Sequence, residues 1–112
     1  MKLSPKKLSG TVAAIPSKSA AHRLFIAASL SDAPSTWALP TSSVDIDTTL
    51  ACLKAFGAQV KREDNKVYIE PIKAIADAPT IDCMESGSTL RFLLPLSAAL
   101  GKSAHFVGRG RL

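Results

Sequence analysis

The sequence predicts an α/β (α+β) fold in which helices pack on a sheet, and three observations carry this prediction. Segments with helical periodicity alternate with short runs typical of strands along the 112-residue chain. Hydrophobic residues make up 46% of the chain, which is enough to bury a core. Finally, a Ser-x-Ser sequence opens an apolar helical run twice, first at Ser17 and again at Ser86.

The first third of the chain predicts a strand, a helix and a second strand. Residues 7–15 alternate weakly between apolar and polar and predict a strand with a bulge or turn at Gly10. An apolar run then predicts a helix over residues 19–30, and Pro34 lies just beyond its end. Residues 36–39 are typical of a short strand.

The middle of the chain predicts a helix followed by a hairpin. Residues 44–56 carry apolar side chains at helical spacing, and Gly57 is a suitable C-cap. Residues 59–63 and 66–70 read as two strands joined by Asp64-Asn65, because both turn residues tolerate a positive φ.

The last third repeats the pattern of strand, helix and strand. A connector with a short helical turn at 72–76 is expected to lead into a strand at 80–83. A helix is predicted over 87–100, and Pro95 should kink it because proline removes one backbone hydrogen bond. Residues 104–107 predict the final strand.

The two Ser-x-Ser helix starts lie in equivalent places of a repeat. Ser17 and Ser86 are 69 positions apart, and an arginine follows each start, Arg23 in the first and Arg91 in the second. The spacing predicts one supersecondary unit of about 70 residues and the beginning of another. Because helix N-termini favour anions, two such starts with Lys18 at the first one predict a ligand with more than one anionic group.

Composition narrows the classes of function. The net charge of +5 suits an anionic ligand, whether a phosphorylated metabolite, nucleic acid or an acidic surface. Aromatic residues are only 5% of the chain, too few for a base-stacking platform, so we expect no nucleic-acid partner. No apolar stretch approaches the length of a membrane span, and the N-terminus lacks the apolar core of a signal peptide. The expected location is therefore the cytoplasm, with no membrane partner.

The two cysteines predict neither a metal site nor a catalytic nucleophile. Cys52 and Cys83 lack the spacing of metal ligands, and no histidine is paired with them. They are interpreted as buried thiols of a reducing compartment, while a disulfide stays open as an alternative. No metal or cofactor is expected.

Four motifs in order together resemble the 5-enolpyruvylshikimate-3-phosphate synthase (3-phosphoshikimate 1-carboxyvinyltransferase) family. They lie at residues 16–23, 43–45, 85–91 and 108–111, so the resemblance covers essentially the whole chain. Five residues differ from the usual pattern: Pro16, Ala21, His22, Val44 and Glu85. An extra carboxylate at Glu85 would oppose anion binding, and Arg91 or Lys18 is expected to neutralise it.

The resemblance implies a fold of two similar domains, each built from three βαβαββ units. Residues 1–15 would form a leading strand region that belongs with the lower domain, which is missing here. Residues 16–112 would form the first unit and part of the second unit of the upper domain. The chain is therefore expected to be the N-terminal portion of a longer enzyme, truncated in the second unit.

The activity implied by the resemblance is transfer of the enolpyruvyl group of phosphoenolpyruvate to the 5-hydroxyl of shikimate 3-phosphate, a step toward the aromatic amino acids. The chain alone is expected to be inactive, because the family's acid and base residues lie in the second domain. One alternative is enolpyruvyl transfer to UDP-N-acetylglucosamine, which Ser19 argues against because that sister enzyme has Lys-Asn where this chain has Lys18-Ser19. A second alternative is a stand-alone phosphate- or nucleic-acid-binding module.

Six site residues follow from the resemblance, all at the two helix starts or in the C-terminal arginine segment: Lys18, Ser19, Arg23, Gly87, Arg91 and Arg111. Lys18 would contact both substrates as the catalytic residue, and Ser19 and Arg23 would hold shikimate 3-phosphate. Gly87, which matches the glycine against the inhibitor glyphosate, would hold phosphoenolpyruvate together with Arg111, and Arg91 would support that loop. Expected partners are the two substrates and the missing C-terminal domain, with self-association through an exposed sheet edge.

Overall fold

A computed structural model, which describes residues 4–112, contains three α-helices and five β-strands in that part of the chain. Each helix begins at a serine cap whose hydroxyl accepts a hydrogen bond from the backbone three residues later. The elements in chain order are α1 (Lys18–Ser29), β1 (Ser35–Ala38), α2 (Val44–Phe56), β2 (Gln59–Glu63), β3 (Lys66–Glu70), β4 (Thr80–Asp82), α3 (Gly87–Ala99) and β5 (His105–Val107).

The strands form two separate sheets. The first is antiparallel in the order β1-β3-β2, with Trp37 opposite Val67 and Val60 opposite Ile69. The second pairs β4 with β5 in parallel, with Ile81 opposite Phe106. A parallel pair needs a crossover, and α3 supplies it between these two strands.

The core lies where α2 packs between the other two helices and both sheets. Leu53 and Phe56 of α2 are fully buried, as are Ile69 of β3, Ile81 of β4 and Leu93 of α3. Burying side chains of this size stabilises the fold by roughly 1.5–3 kcal/mol each. This packing holds the three helices in one fixed arrangement.

Most predicted elements are confirmed, and the boundaries differ by one or two residues. Helix α2, the hairpin strands and the C-cap at Gly57 (φ 117°) lie where the sequence predicts them. Asp64 has a φ of 47°, as the predicted tight turn requires. Pro95 lies inside α3, and the predicted kink there stays a prediction.

Two local predictions are wrong. Residues 7–15 form no strand, because no neighbouring strand among residues 4–112 offers them hydrogen bonds; Leu8 and Val12 are each 91% exposed. Residues 1–3 of the leading strand region that the resemblance implies over 1–15 lie outside the described residues. Residues 72–76 form no helical turn. The backbone N–H of Ile72 donates to the carbonyl of Ser29 at 2.9 Å, which ties the start of this connector to the end of α1.

Candidate functional site

The N-terminal turns of α1 and α2 are joined by an ion pair. The ammonium of Lys18, the first residue of α1, lies 2.5 Å from the Asp45 carboxylate in the first turn of α2. About half of the Lys18 side chain is exposed (52%), so it keeps access to a ligand. The residues before α1 and α2 close a cavity of about 170 Å³ beside Lys18, between Pro16 and Ser43.

A buried chain of hydrogen bonds ties all three helices together near the same end. His22 Nδ1 of α1 lies 2.7 Å from Thr49 Oγ1 of α2, which lies 2.8 Å from Thr89 Oγ1 of α3. Thr89 then donates to Ser86 Oγ, the cap of α3, at 2.7 Å. None of the four residues is more than 2% exposed, so the starts of α1 and α3 are held in register through the interior.

The charge state of His22 follows from its burial. Desolvation lowers the pKa of His22, the Asp45 carboxylate acts in the opposite direction, and Lys18 lowers it further. The imidazole is therefore neutral at pH 7. Its other nitrogen, Nε2, is buried and has no hydrogen-bond partner among the described residues.

Arg23 also lies beside α3. Its guanidinium carbon is 6.0 Å from the centroid of the Phe92 ring, a distance that permits a cation–π contact. Arg23 and Ser19 are both exposed on α1. Arg23 of the first helix thus lies against α3, while Lys18 is paired with α2.

Gly87, the first residue of α3, has open space above it. A Cβ placed on Gly87 would meet no protein atom within 4 Å, and its φ is not in the left-handed region. The fold of this chain therefore does not require glycine here. A ligand that approaches the free N–H groups of the helix start would provide a reason for it.

The C-terminal arginine segment is docked against the loop that precedes α3. The backbone N–H of Arg109 donates to the carbonyl of Met84 at 2.9 Å, and its guanidinium pairs with Asp82. The Asp82 carboxylate also accepts from the Met84 N–H at 2.9 Å. The hydrogen bond from Met84 is the larger cause of the lowered pKa of Asp82, and the pairing with Arg109 lowers it further. The segment is anchored rather than free, which places exposed Arg111 just beyond this anchor.

Neither Lys18 nor Arg91, the expected counter-ions, forms an ion pair with Glu85 within residues 4–112. Lys18 pairs with Asp45 instead, and a Cβ added at Gly110 (φ 58°) would collide with the Glu85 carboxylate. Glycine is favoured at position 110 because its φ of 58° lies in the left-handed region, and the exposed Glu85 side chain lies directly against it. Arg91 is exposed on α3, and no ion pair to it is seen within residues 4–112.

Sequence reasoning missed the residues that connect the site. His22, Thr49 and Thr89 are interior partners, and Asp45 was interpreted as a contributor to the helix dipole rather than as the counter-ion of Lys18. A signal existed for His22, because it shares helical spacing with the buried Phe25 and Ser29. Its hydrogen-bond partner, 27 positions away, left no such signal.

The comparison with known families decides the assignment. The sequence model of EPSP synthase (3-phosphoshikimate 1-carboxyvinyltransferase) matches residues 3–112. The chain belongs to the EPSP synthase family. The α/β fold class predicted from the sequence is confirmed by solved structures of Acinetobacter baumannii EPSP synthase. One of them has a TM-score of 0.70 over 92% of this chain and 24% of that chain, at 20% identity.

Curated relatives in the EPSP synthase family carry the same enzyme name. The 3-phosphoshikimate 1-carboxyvinyltransferase of Clostridium perfringens (strain SM101) is 44% identical over 112 residues, covering 98% of this chain and 26% of that protein. Its counterpart in Clostridium kluyveri is 40% identical over 111 residues, with the same two coverages. The chain thus spans about a quarter of the length of these relatives.

Two features are absent from the described part of the chain. None of the helices in residues 4–112 has the length and apolar character of a membrane span. Over the same residues, His, Cys, Asp and Glu side chains form no group of three or more that could hold a metal ion. Both cysteines are free and buried.

Proposed function

We propose that this chain forms part of a 3-phosphoshikimate 1-carboxyvinyltransferase that joins the enolpyruvyl group of phosphoenolpyruvate to the 5-hydroxyl of shikimate 3-phosphate. In the net reaction the hydroxyl oxygen bonds to the enolpyruvyl carbon and loses its proton, the bond from that carbon to the phosphate oxygen breaks, and phosphate leaves with that proton. Membership of the EPSP synthase family supports this activity. The observation that carries it is that Lys18 is held at the start of α1 by Asp45 of α2, while Arg23, one turn further along α1, lies against Phe92 of α3.

The charges of the site suit two multiply anionic substrates. Lys18 can bridge both of them as a compact cation, while Ser19 and Arg23 hold shikimate 3-phosphate. Gly87 admits phosphoenolpyruvate to the helix start, and Arg111 grips it through its guanidinium, with Arg91 in support. Such groups orient the substrates and stabilise developing charge; none of the six is placed here as the general acid or base.

The same proposal gives the exposed N-terminal arm a partner. Residues 4–15 expose Leu8, Val12 and Ile15 to solvent, and 83% or more of each is accessible. Further sequence of the same enzyme, forming the other domain, would cover them and supply strand partners.

In the isolated chain, β1 and β2 are the outer strands of their sheet, so we expect self-association through an edge. Light scattering that shows only monomers at high concentration would contradict it.

The compartment proposed is the cytoplasm. Both cysteines are buried and unpaired, as expected where thiols stay reduced. Neither a metal nor a cofactor is assigned a role.

The activity is tested in the complete gene product, of which the proposal makes this chain a part. Phosphate release is measured with both substrates, and Lys18→Ala is expected to lower kcat/KM at least tenfold, in keeping with the loss of a charged contact worth about 1.5–3 kcal/mol. Lys61→Ala is the matched control, because Lys61 pairs with Glu63 on the hairpin. The 112-residue chain by itself should show no turnover. A complete product without activity, or Lys18→Ala matching the control, would overturn the proposal.

A further inference from the structure

The buried row of hydrogen-bonded side chains that links His22 to Ser86 holds one more hydrogen than its three contacts use. Neutral His22 carries one ring hydrogen, and Thr49, Thr89 and Ser86 carry one hydroxyl hydrogen each. Three contacts of 2.7, 2.8 and 2.7 Å join the four groups. When the donors all run in one direction along these contacts, the fourth hydrogen lies at one end, on His22 Nε2 or on Ser86 Oγ.

The surroundings of the two ends decide between them. A hydrogen on His22 Nε2 would be a buried N–H without an acceptor, since Nε2 has no partner among the described residues. A hydrogen on Nδ1 leaves only a lone pair at Nε2 and makes His22 donate to Thr49, Thr49 to Thr89 and Thr89 to Ser86. The last of these is the direction that the geometry of the Thr89–Ser86 contact gives.

In this direction the Ser86 hydroxyl accepts twice and still has its own hydrogen to donate. It accepts from the N–H of Thr89 at 3.3 Å and from the Thr89 hydroxyl at 2.7 Å. Both bonds come from Thr89 in the first turn of α3, so neither of them uses the hydrogen of the Ser86 hydroxyl. No acceptor for that hydrogen is seen within residues 4–112, and the next residue, Gly87, has open space above it.

We propose that the Ser86 hydroxyl is a further binding residue at the start of α3, which donates to an anionic oxygen of the ligand, and that His22, through Thr49 and Thr89, is the positioning residue that sets its direction. The identity of the ligand as phosphoenolpyruvate rests on the proposed function. A buried hydroxyl without an acceptor is unfavourable, and a phosphate or carboxylate oxygen supplies the acceptor. The Ser86 donor is pre-oriented because the row of hydrogen bonds from His22 through Thr49 and Thr89, here called the relay, joins residues of three helices.

The direction of the relay is tested by nitrogen NMR of the imidazole rings in the 112-residue chain. We expect the ring hydrogen of His22 on Nδ1 at neutral pH, with exposed His105 as a reference in the same sample. A hydrogen on Nε2 would reverse the relay, remove the spare hydrogen from Ser86 and overturn the proposal. This measurement needs no substrate and therefore does not depend on the proposed function.

The role of Ser86 is tested by kinetics in the complete gene product at saturating shikimate 3-phosphate. Ser86→Ala should raise the KM for phosphoenolpyruvate about ten- to hundredfold, as the loss of a hydrogen bond to a charged group predicts. Ser86→Thr keeps both the cap and the hydroxyl and should restore most of the affinity. Competition by inorganic phosphate and by pyruvate shows which anionic group uses the hydroxyl: Ser86→Ala should weaken only one of them.

The relay itself is tested with two buried threonines of the same helix. Thr49→Val cuts the relay without touching the cap and should raise this KM several-fold. Thr48→Val is the matched control, because Thr48 donates only to the carbonyl of Val44, and it should leave the KM unchanged. Equal KM values in the two variants, or an unchanged KM in a folded Ser86→Ala, would overturn the proposal. Lack of all activity in the unsubstituted protein would refute the proposed function alone.

Discussion

The Lys18 ammonium and the Asp45 carboxylate lie 2.5 Å apart. This ion pair connects the first turn of α1 with the first turn of α2. Side-chain exposures of 52% and 31% place the pair at the surface, where such contacts add little to stability. Its value lies in holding a cation at the site. Several measurements follow from this and neighbouring contacts.

The ion pair predicts a small change in stability and a large change in ligand binding. Lys18→Ala and Asp45→Asn should each lower the free energy of unfolding by no more than about 1 kcal/mol, because solvent screens the pair. Urea denaturation of both single variants and the double variant measures the coupling. The pair formed by Lys61 and Glu63 serves as the surface control. A coupling well above 1 kcal/mol would show that Lys18 is structural.

Gly57→Ala should destabilise the fold strongly. Gly57 ends α2 with a φ of 117°, and an added Cβ would collide with the backbone carbonyl of Ala74. Strain of this kind costs on the order of 1–3 kcal/mol, measured as a lower midpoint of denaturation. Gly101→Ala is the control, since its φ of 64° is also left-handed but the space around it is open, so its loss should be smaller. Equal losses would mean that the collision with Ala74 has no effect.

Gly87→Ala should separate folding from ligand binding. The added methyl group meets no protein atom within 4 Å, and alanine favours a helix over glycine by roughly 0.5–1 kcal/mol. The melting temperature should therefore hold or rise while the KM for phosphoenolpyruvate increases in the complete gene product. A stable variant with unchanged KM would remove Gly87 from the binding site.

Stability should fall on acidification because of His22. Burial lowers the folded-state pKa of His22 below its unfolded value, so the unfolded chain binds the extra proton first. The contribution is fully present above the unfolded pKa, near 6.5, and declines as pH falls from there toward the folded value. The slope is at most about 1.4 kcal/mol per pH unit.

Denaturant titrations between pH 7 and pH 5 test this expectation. His22→Gln should be less stable at pH 7 and should lack most of the slope. His105→Gln replaces an exposed histidine and should retain it. A slope that survives His22→Gln would assign the acid sensitivity to another group.

The two cysteine thiols should be unreactive in the folded chain. Burial, and then the neighbouring Cys83, raise the pKa of Cys52 to about 12, and burial also raises the pKa of Cys83. Because the thiolate is the reactive form, alkylation should occur only as fast as the chain opens. Mass spectrometry after timed labelling, with a denatured sample as control, measures the rate. Rapid labelling, or a mass that shows a disulfide, would contradict this.

The local signals of the sequence were sufficient for most of the fold. Serine caps, the glycine at position 57 and the turn at 64–65 act through contacts within a few residues, so α2 and the hairpin could be placed closely. The strand predicted over 7–15 failed for the opposite reason. Its alternation is a local property, but a strand exists only where a partner supplies hydrogen bonds.

The sequence by itself determined the elements, the repeated helix starts and the likeness to the EPSP synthase family, because each of these is written in short motifs. Only the tertiary structure decided which side chains meet. The pairing of Lys18 with Asp45, 27 positions apart, and of Thr49 with Thr89, 40 positions apart, depends on how α2 packs between its neighbours. No periodicity encodes such contacts, since the packing of the whole core determines them.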